Sequence, residues 1–130
     1  MSAGFEVFLR GGADAPGLAR RAIAVNDPAL PPSVQGDIAL LVSELVTNAV
    51  RHGGAAADRP LQVKFRRQAG RIRVDVVDPG TGFEPPAPPA KGASGGWGLF
   101  LVDQLAERWG VDPARAGSRV WFELPAGLTA

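Results

Sequence analysis

The chain has 130 residues, 45% of them hydrophobic and 21% charged, and a formal net charge of +1. These values predict one ordinary globular domain, 1–130, long enough to bury a core. No run of basic residues marks a nucleic-acid surface, and the lack of cysteine excludes disulfides, thiolate metal sites and a thiol nucleophile.

The N-terminus has no basic segment followed by an apolar stretch, and no apolar run approaches ~20 residues. The expectation is a cytoplasmic protein that neither enters nor crosses a membrane. Phe5–Arg10 reads as a short edge strand, punctuated by Gly11, Gly12 and Pro16. Gly17–Val25 reads as a short helix, with Arg20 and Arg21 on its polar side. Pro28, Pro31 and Pro32 make a loop.

A long helix is expected from about Ser33 to His52. Val34, Ile38, Leu41, Val42, Leu45, Val46 and Ala49 recur at helical spacing and predict a buried face. Ser33 is the candidate N-cap and Gly53 the candidate stop. Glu44, Thr47, Asn48 and Arg51 fall at i, i+3, i+4 and i+7 and share another stripe. A carboxylate and a carboxamide one turn apart can act on one ligand.

Leu61–Arg66 and Arg71–Val77 alternate apolar and polar residues, with Gln68-Ala69-Gly70 as a hairpin turn. Lys64, Arg66, Arg71 and Arg73 are expected on a solvated face of a sheet covered on one side. Much of the excess of Gly and Pro (17 and 12 residues) falls in about 84–96, which cannot be helix or central strand. Irregular segments of that length in a compact domain are often lids. A second amphipathic helix is expected from Gly98 to Trp109-Gly110, then a turn over Asp112–Gly117 and a last strand, Ser118–Leu124. The predicted order β-α-α-β-β-lid-α-β defines an α+β sandwich, one antiparallel or mixed sheet with helices on one face.

Three constellations carry chemistry. Glu44 and Asn48 lie on the long helix. Asp78-Pro79-Gly80-Thr81-Gly82-Phe83 sets a carboxylate at a strand end beside two glycines. Such an Asp can accept a hydrogen bond from a purine amine, and the glycines let backbone approach a flat ring. Gly95-Gly96-Trp97-Gly98-Leu99 opens a helix, where free backbone N–H groups suit phosphate oxygens. No Gly-x-x-x-x-Gly-Lys-[Ser/Thr] is present, so this is not a P-loop protein.

In this order the motifs resemble the N, G1 and G2 boxes of the GHKL superfamily of histidine-kinase-like ATP-binding domains (a Bergerat-type sandwich). Within it the chain is most similar to the stand-alone anti-sigma-factor serine/threonine kinases of actinobacterial type. The resemblance runs from Phe5 to Leu124. It implies ATP and Mg²⁺ as cofactors, Glu44 as catalytic base and Asn48 as the Mg²⁺ ligand. It implies Asp78 at the adenine amine, supported by Gly80 and Gly82. Gly95, Gly96, Gly98 and Leu99 would lie at the phosphates, with Ser118 at the adenine side, where the family usually has Thr. Trp97 stands where close relatives often carry Arg. His52 is either a polar neighbour of the phosphates or a helix C-terminal cap. Implied partners are a sigma factor and a small STAS-like antagonist, in a homodimer that contacts no nucleic acid. Phosphorylation of the antagonist is the implied activity. The alternative is a module of the same fold that binds ATP and a partner and transfers nothing.

Overall fold

The computed structural model describes residues 3–10, 12–27, 29–52, 60–78, 97–114 and 117–126. Their elements are β1 (Ala3–Leu9), α1 (Ala15–Asn26), α2 (Pro32–His52), β2 (Leu61–Gln68), β3 (Arg71–Asp78), α3 (Trp97–Leu105), β4 (Arg108–Ala114) and β5 (Gly117–Pro125). The five strands make one sheet in the order β1-β2-β3-β5-β4. Every neighbouring pair is antiparallel. The expected α+β class holds, and the antiparallel form of the sheet is the one found.

One face of the sheet is the core face. Leu61, Val63 and Phe65 of β2, Ile72, Val74 and Val76 of β3, and Val120, Phe122 and Leu124 of β5 are all buried. Their alternation along each strand puts them on a single side. α2 meets this side with Ile38, Leu41, Val42, Leu45, Val46 and Ala49, the face expected from its spacing. α1 packs against α2 and β1, and α3 packs against α2. Arg20 Nη1 donates to Ser43 Oγ at 2.7 Å, tying α1 to α2 beside Glu44. At the other end of the helical layer, Asp27 follows α1 and pairs with Arg67 of β2 at 3.3 Å.

The structure corrects several boundaries. α1 starts at Ala15, two residues before the expected Gly17, because Pro16 fits the first turn, where its missing N–H costs nothing. α2 begins at Pro32 for the same reason, so Ser33 lies inside the helix and is not its N-cap. Gly53 and the segment 84–96 lie outside the described residues.

The larger correction is β4. The second amphipathic helix was expected to run to Trp109-Gly110. It ends at Leu105, and Arg108–Ala114 is a strand paired with β5. Gly110 and Pro113 are poor strand formers, which hid it from pattern reading. Both have a place there. β4 is an edge strand, where Pro is tolerated. A Cβ on Gly110 would lie 2.9 Å from the Trp121 indole, so only glycine fits.

The β2–β3 turn is tighter than expected. Ala69 and Gly70 both have positive φ, 54° and 75°, the pattern of a two-residue primed hairpin. The face opposite the helices is also not simply solvated. Asp75 lies on it and is only 1% exposed. Arg73 grips its carboxylate through Nε at 2.9 Å and Nη2 at 3.1 Å.

Candidate functional site

The stripe on α2 is the first part of the site. Glu44, Thr47 and Asn48 are half-buried, at the edge between the core face and the outer face. Asn48 makes no side-chain hydrogen bond among the described residues, and its Nδ2 is buried without a partner there. An unmet buried amide costs about 1–3 kcal/mol. This donor, in the last turns of α2, suits an acceptor oxygen of a bound ligand. The α2 helix that carries the stripe packs on β3 and on α3.

The second part lies on the sheet. Asp78 is the last residue of β3, on the core side of the strand, and is 3% exposed. A carboxylate there is out of water, as a receptor for a base amine should be. In the strand register Asp78 stands directly opposite Ser118 of β5. The two residues read as adenine-side groups are therefore cross-strand neighbours, a juxtaposition that 39 intervening residues concealed in the sequence.

The third part is the start of α3. Gly98 and Leu99 lie in its first turn. His52 is the last residue of α2. Gly80, Gly82, Gly95 and Gly96 lie outside the described residues. The structure thus sets Asp78 against Ser118, and places Glu44 and Asn48 on a helix packed against the strand that carries Asp78.

One link near this site was not read from the sequence. Trp109, expected at the end of a helix, is on β4, and its indole Nε1–H donates to Asp103 Oδ1 of α3 at 2.9 Å. No local signal announces it, because the contact exists only once β4 has paired with β5.

A family model for the histidine kinase-like ATPase domain matches residues 14–124. The chain belongs to this family, and its fold is the ATP-binding, kinase-like one that the family description names. No curated protein matches. Among solved structures, the RsbU and RsbW domains of a Mycobacterium tuberculosis protein superpose with a TM-score of 0.71 at 21% identity, over 95% of this chain and 32% of that one. The histidine kinase domain of the blue-light activated histidine kinase of Erythrobacter litoralis gives 0.57 at 26% identity, over 86% and 59%. A second structure of that kinase gives 0.58 at 26% identity, over 85% and 40%. The chain therefore spans 32–59% of the length of these proteins. Among the described residues no helix is long and apolar enough to cross a membrane.

Proposed function

We propose that this chain is an ATP-dependent serine/threonine protein kinase that also acts as an anti-sigma factor. Its substrate is a serine on a small STAS-like antagonist, and it works as a cytoplasmic homodimer. The observation that carries the reading is half-buried Asn48, whose Nδ2 donor has no partner among the described residues, one turn after Glu44 and on the helix that packs against the strand ending in buried Asp78. The RsbW domain in the mycobacterial structure supports the choice of partner class.

The residues fit a magnesium nucleotide. A carboxamide supplies a hard oxygen, and Mg²⁺ takes few protein ligands when phosphates and waters supply the rest. Asn48 would hold the ion, whose charge offsets the charge that builds on the transferred phosphoryl group. Asp78 accepts the adenine amine, with Ser118 beside it and Gly80 and Gly82 giving backbone room. Backbone N–H groups at Gly95, Gly96, Gly98 and Leu99 meet phosphate oxygens. His52 stands at the phosphate end of α2. Glu44 takes the proton from the serine hydroxyl as its oxygen bonds to the γ-phosphorus and the β–γ bridging oxygen leaves with ADP.

Glu44→Ala and Asn48→Ala separate binding from transfer. A base acts in the transition state and adds little to ground-state binding. Glu44→Ala should hold ATP affinity within a few-fold in calorimetry and lose about 10²–10⁴-fold in phosphotransfer to the antagonist. Asn48→Ala should damage both. Full transfer by Glu44→Ala would remove its role as base. ATP binding without transfer by the wild type to any antagonist would leave the non-catalytic binding module.

A further inference from the structure

The face of the sheet opposite α2 carries its charges in register. Arg66 of β2 stands between Gly4 of β1 and Arg73 of β3, and Arg73 stands opposite Glu123 of β5. In the next row Lys64 stands between Glu6 and Asp75. These residues alternate with the buried apolar ones of the same strands, so they share the outer side. A cleft of about 430 Å³ there takes in Glu6, Lys64, Arg66, Asp75 and Arg119. A second, of about 340 Å³, takes in Arg66, Arg71, Arg73 and Glu123.

The acids of this face are committed, and two of its cations are not. Asp75 is held by Arg73 and faces Arg119. Glu123 lies 3.5 Å from Arg73 and 3.7 Å from Arg108. Glu6 stands opposite Lys64, yet its carboxylate accepts from Gln62 Nε2 at 2.8 Å. Among the described residues Lys64 and Arg66 make neither an ion pair nor a hydrogen bond. They are two residues apart on one strand, so their Cα atoms lie about 7 Å apart along it. Their charge is open to carboxylates from outside. Beside them Phe8 stands opposite Gln62 on the same outer side, and it is 65% exposed. Protein interfaces combine these parts: an aromatic anchors, and the charges around it select the partner.

We propose that this face docks an acidic segment of a partner protein. Two of its carboxylates pair with Lys64 and Arg66, and an apolar side chain packs on Phe8. Two other occupants fit less well. A second copy of the chain would set the same surplus of cations against itself. A nucleic-acid strand offers a phosphate at every nucleotide and would meet Glu6, Asp75 and Glu123 as well as the cations. It would also find few open rings, because Trp121 already stacks with the Arg73 guanidinium at 4.3 Å.

Fluorescence anisotropy tests this with a labelled peptide in which glutamate alternates with serine around a central leucine. A twin peptide carries glutamine for glutamate. The wild type should bind the first and not the second, and binding should weaken as salt rises. Lys64→Gln and Arg66→Gln should each weaken it about two- to fivefold, the scale of one exposed ion pair. Phe8→Ala should weaken it about fivefold or more. Arg21→Gln removes the same charge from an exposed position on α1 and should stay within about 1.5-fold of the wild type. No binding of the glutamate peptide would overturn the proposal. Equal losses for Arg21→Gln and Arg66→Gln would overturn it too, by showing attraction to net charge alone. Tighter binding of an oligothymidylate of the same charge would give the face to nucleic acid. A changed sedimentation coefficient in the Lys64→Gln/Arg66→Gln double variant would give it to a second copy.

Discussion

The two faces of the sheet are built from the same strands on opposite principles. Among the described residues the face under α2 is apolar along β2, β3 and β5 up to the row where Asp78, at the end of β3, stands opposite Ser118. Among the described residues the other face has no helix over it, yet it buries a carboxylate. Asp75 is covered by its own partners: Arg73 binds both oxygens, and Arg119 Nε lies 3.6 Å from Oδ2. The Arg73 guanidinium is stacked 4.3 Å from the Trp121 ring, and Trp121 Nε1 donates to Asp112 Oδ2 at 3.0 Å. The hydrogen bond to Asp75 leads in holding Arg73 above its ordinary pKa, against partial burial, which acts the other way. Long side chains laid flat thus do for one face what a helical layer does for the other. The difference shows where a site can form. The helix-covered face has a boundary, where buried Asp78 ends β3 and the stripe of α2 carries the Asn48 amide, whose Nδ2 has no partner among the described residues. The ionic face pairs its buried Asp75 with two arginines, though Arg119 Nε, 3.6 Å from Oδ2, makes no hydrogen bond among the described residues.

Breaking the apolar face should cost most. Phe122 is fully buried on β5, an inner strand between β3 and β4. Phe122→Ala should destabilise by about 3–5 kcal/mol in urea unfolding, through lost transfer energy and the cavity left behind. It also stands opposite Trp109, so the position of α3 should loosen with it. A loss under about 1 kcal/mol would mean that the face is not a close-packed core.

Breaking the ionic face should cost less. Removing one partner of a fully buried pair costs about 3–5 kcal/mol. Here the Arg73 and Arg119 side chains are 27% and 38% exposed, so water can take over part of the solvation. Asp75→Ala should therefore lose about 1–3 kcal/mol. The Arg73 side of the pair should add no pH dependence near neutrality. A cation with a raised folded pKa contributes fully below its unfolded value, and loses that contribution only as pH climbs through the folded one. A loss as large as that of Phe122→Ala would show that the ionic layer carries as much of the fold as the apolar one.

The sequence made much of this legible, for physical reasons. Helical spacing over α2 is long and regular, so its buried face and the stripe of Glu44 and Asn48 could be read directly. Alternation gave β2 and β3. The strand β4 could not be read, since Gly110 serves a contact with Trp121 and Pro113 is tolerated only at an edge, and both conditions depend on the finished sheet. The pairing of Asp78 with Ser118 needs the β3–β5 register, which no local pattern supplies. Burial of Asp75 on a face that reads as solvated depends on side chains from three different positions on two strands. The Asp103–Trp109 bond is equally non-local.

The smallest predicted effect concerns what keeps the two faces apart. Side chains alternate with a period of two, so a one-residue slip between β2 and β3 would send Asp75 toward the core and Val74 to the ionic side. The tight turn at Ala69-Gly70 fixes that register, with Gln68 opposite Arg71. Its first residue is poorly suited to its backbone. Ala69 has φ of 54°, a left-handed conformation that costs an L-residue with a Cβ about 1 kcal/mol. Asn tolerates this region through local hydrogen bonding, and Asn-Gly is the favoured pair for a primed two-residue hairpin. Ala69→Asn should therefore stabilise the protein by about 0.5–1 kcal/mol and raise Tm by a few degrees. It should leave nucleotide affinity unchanged, because the turn lies at the end of β3 opposite Asp78. A lower Tm would mean that the turn does not hold this backbone in solution. The two faces would then owe their separation to the strands alone.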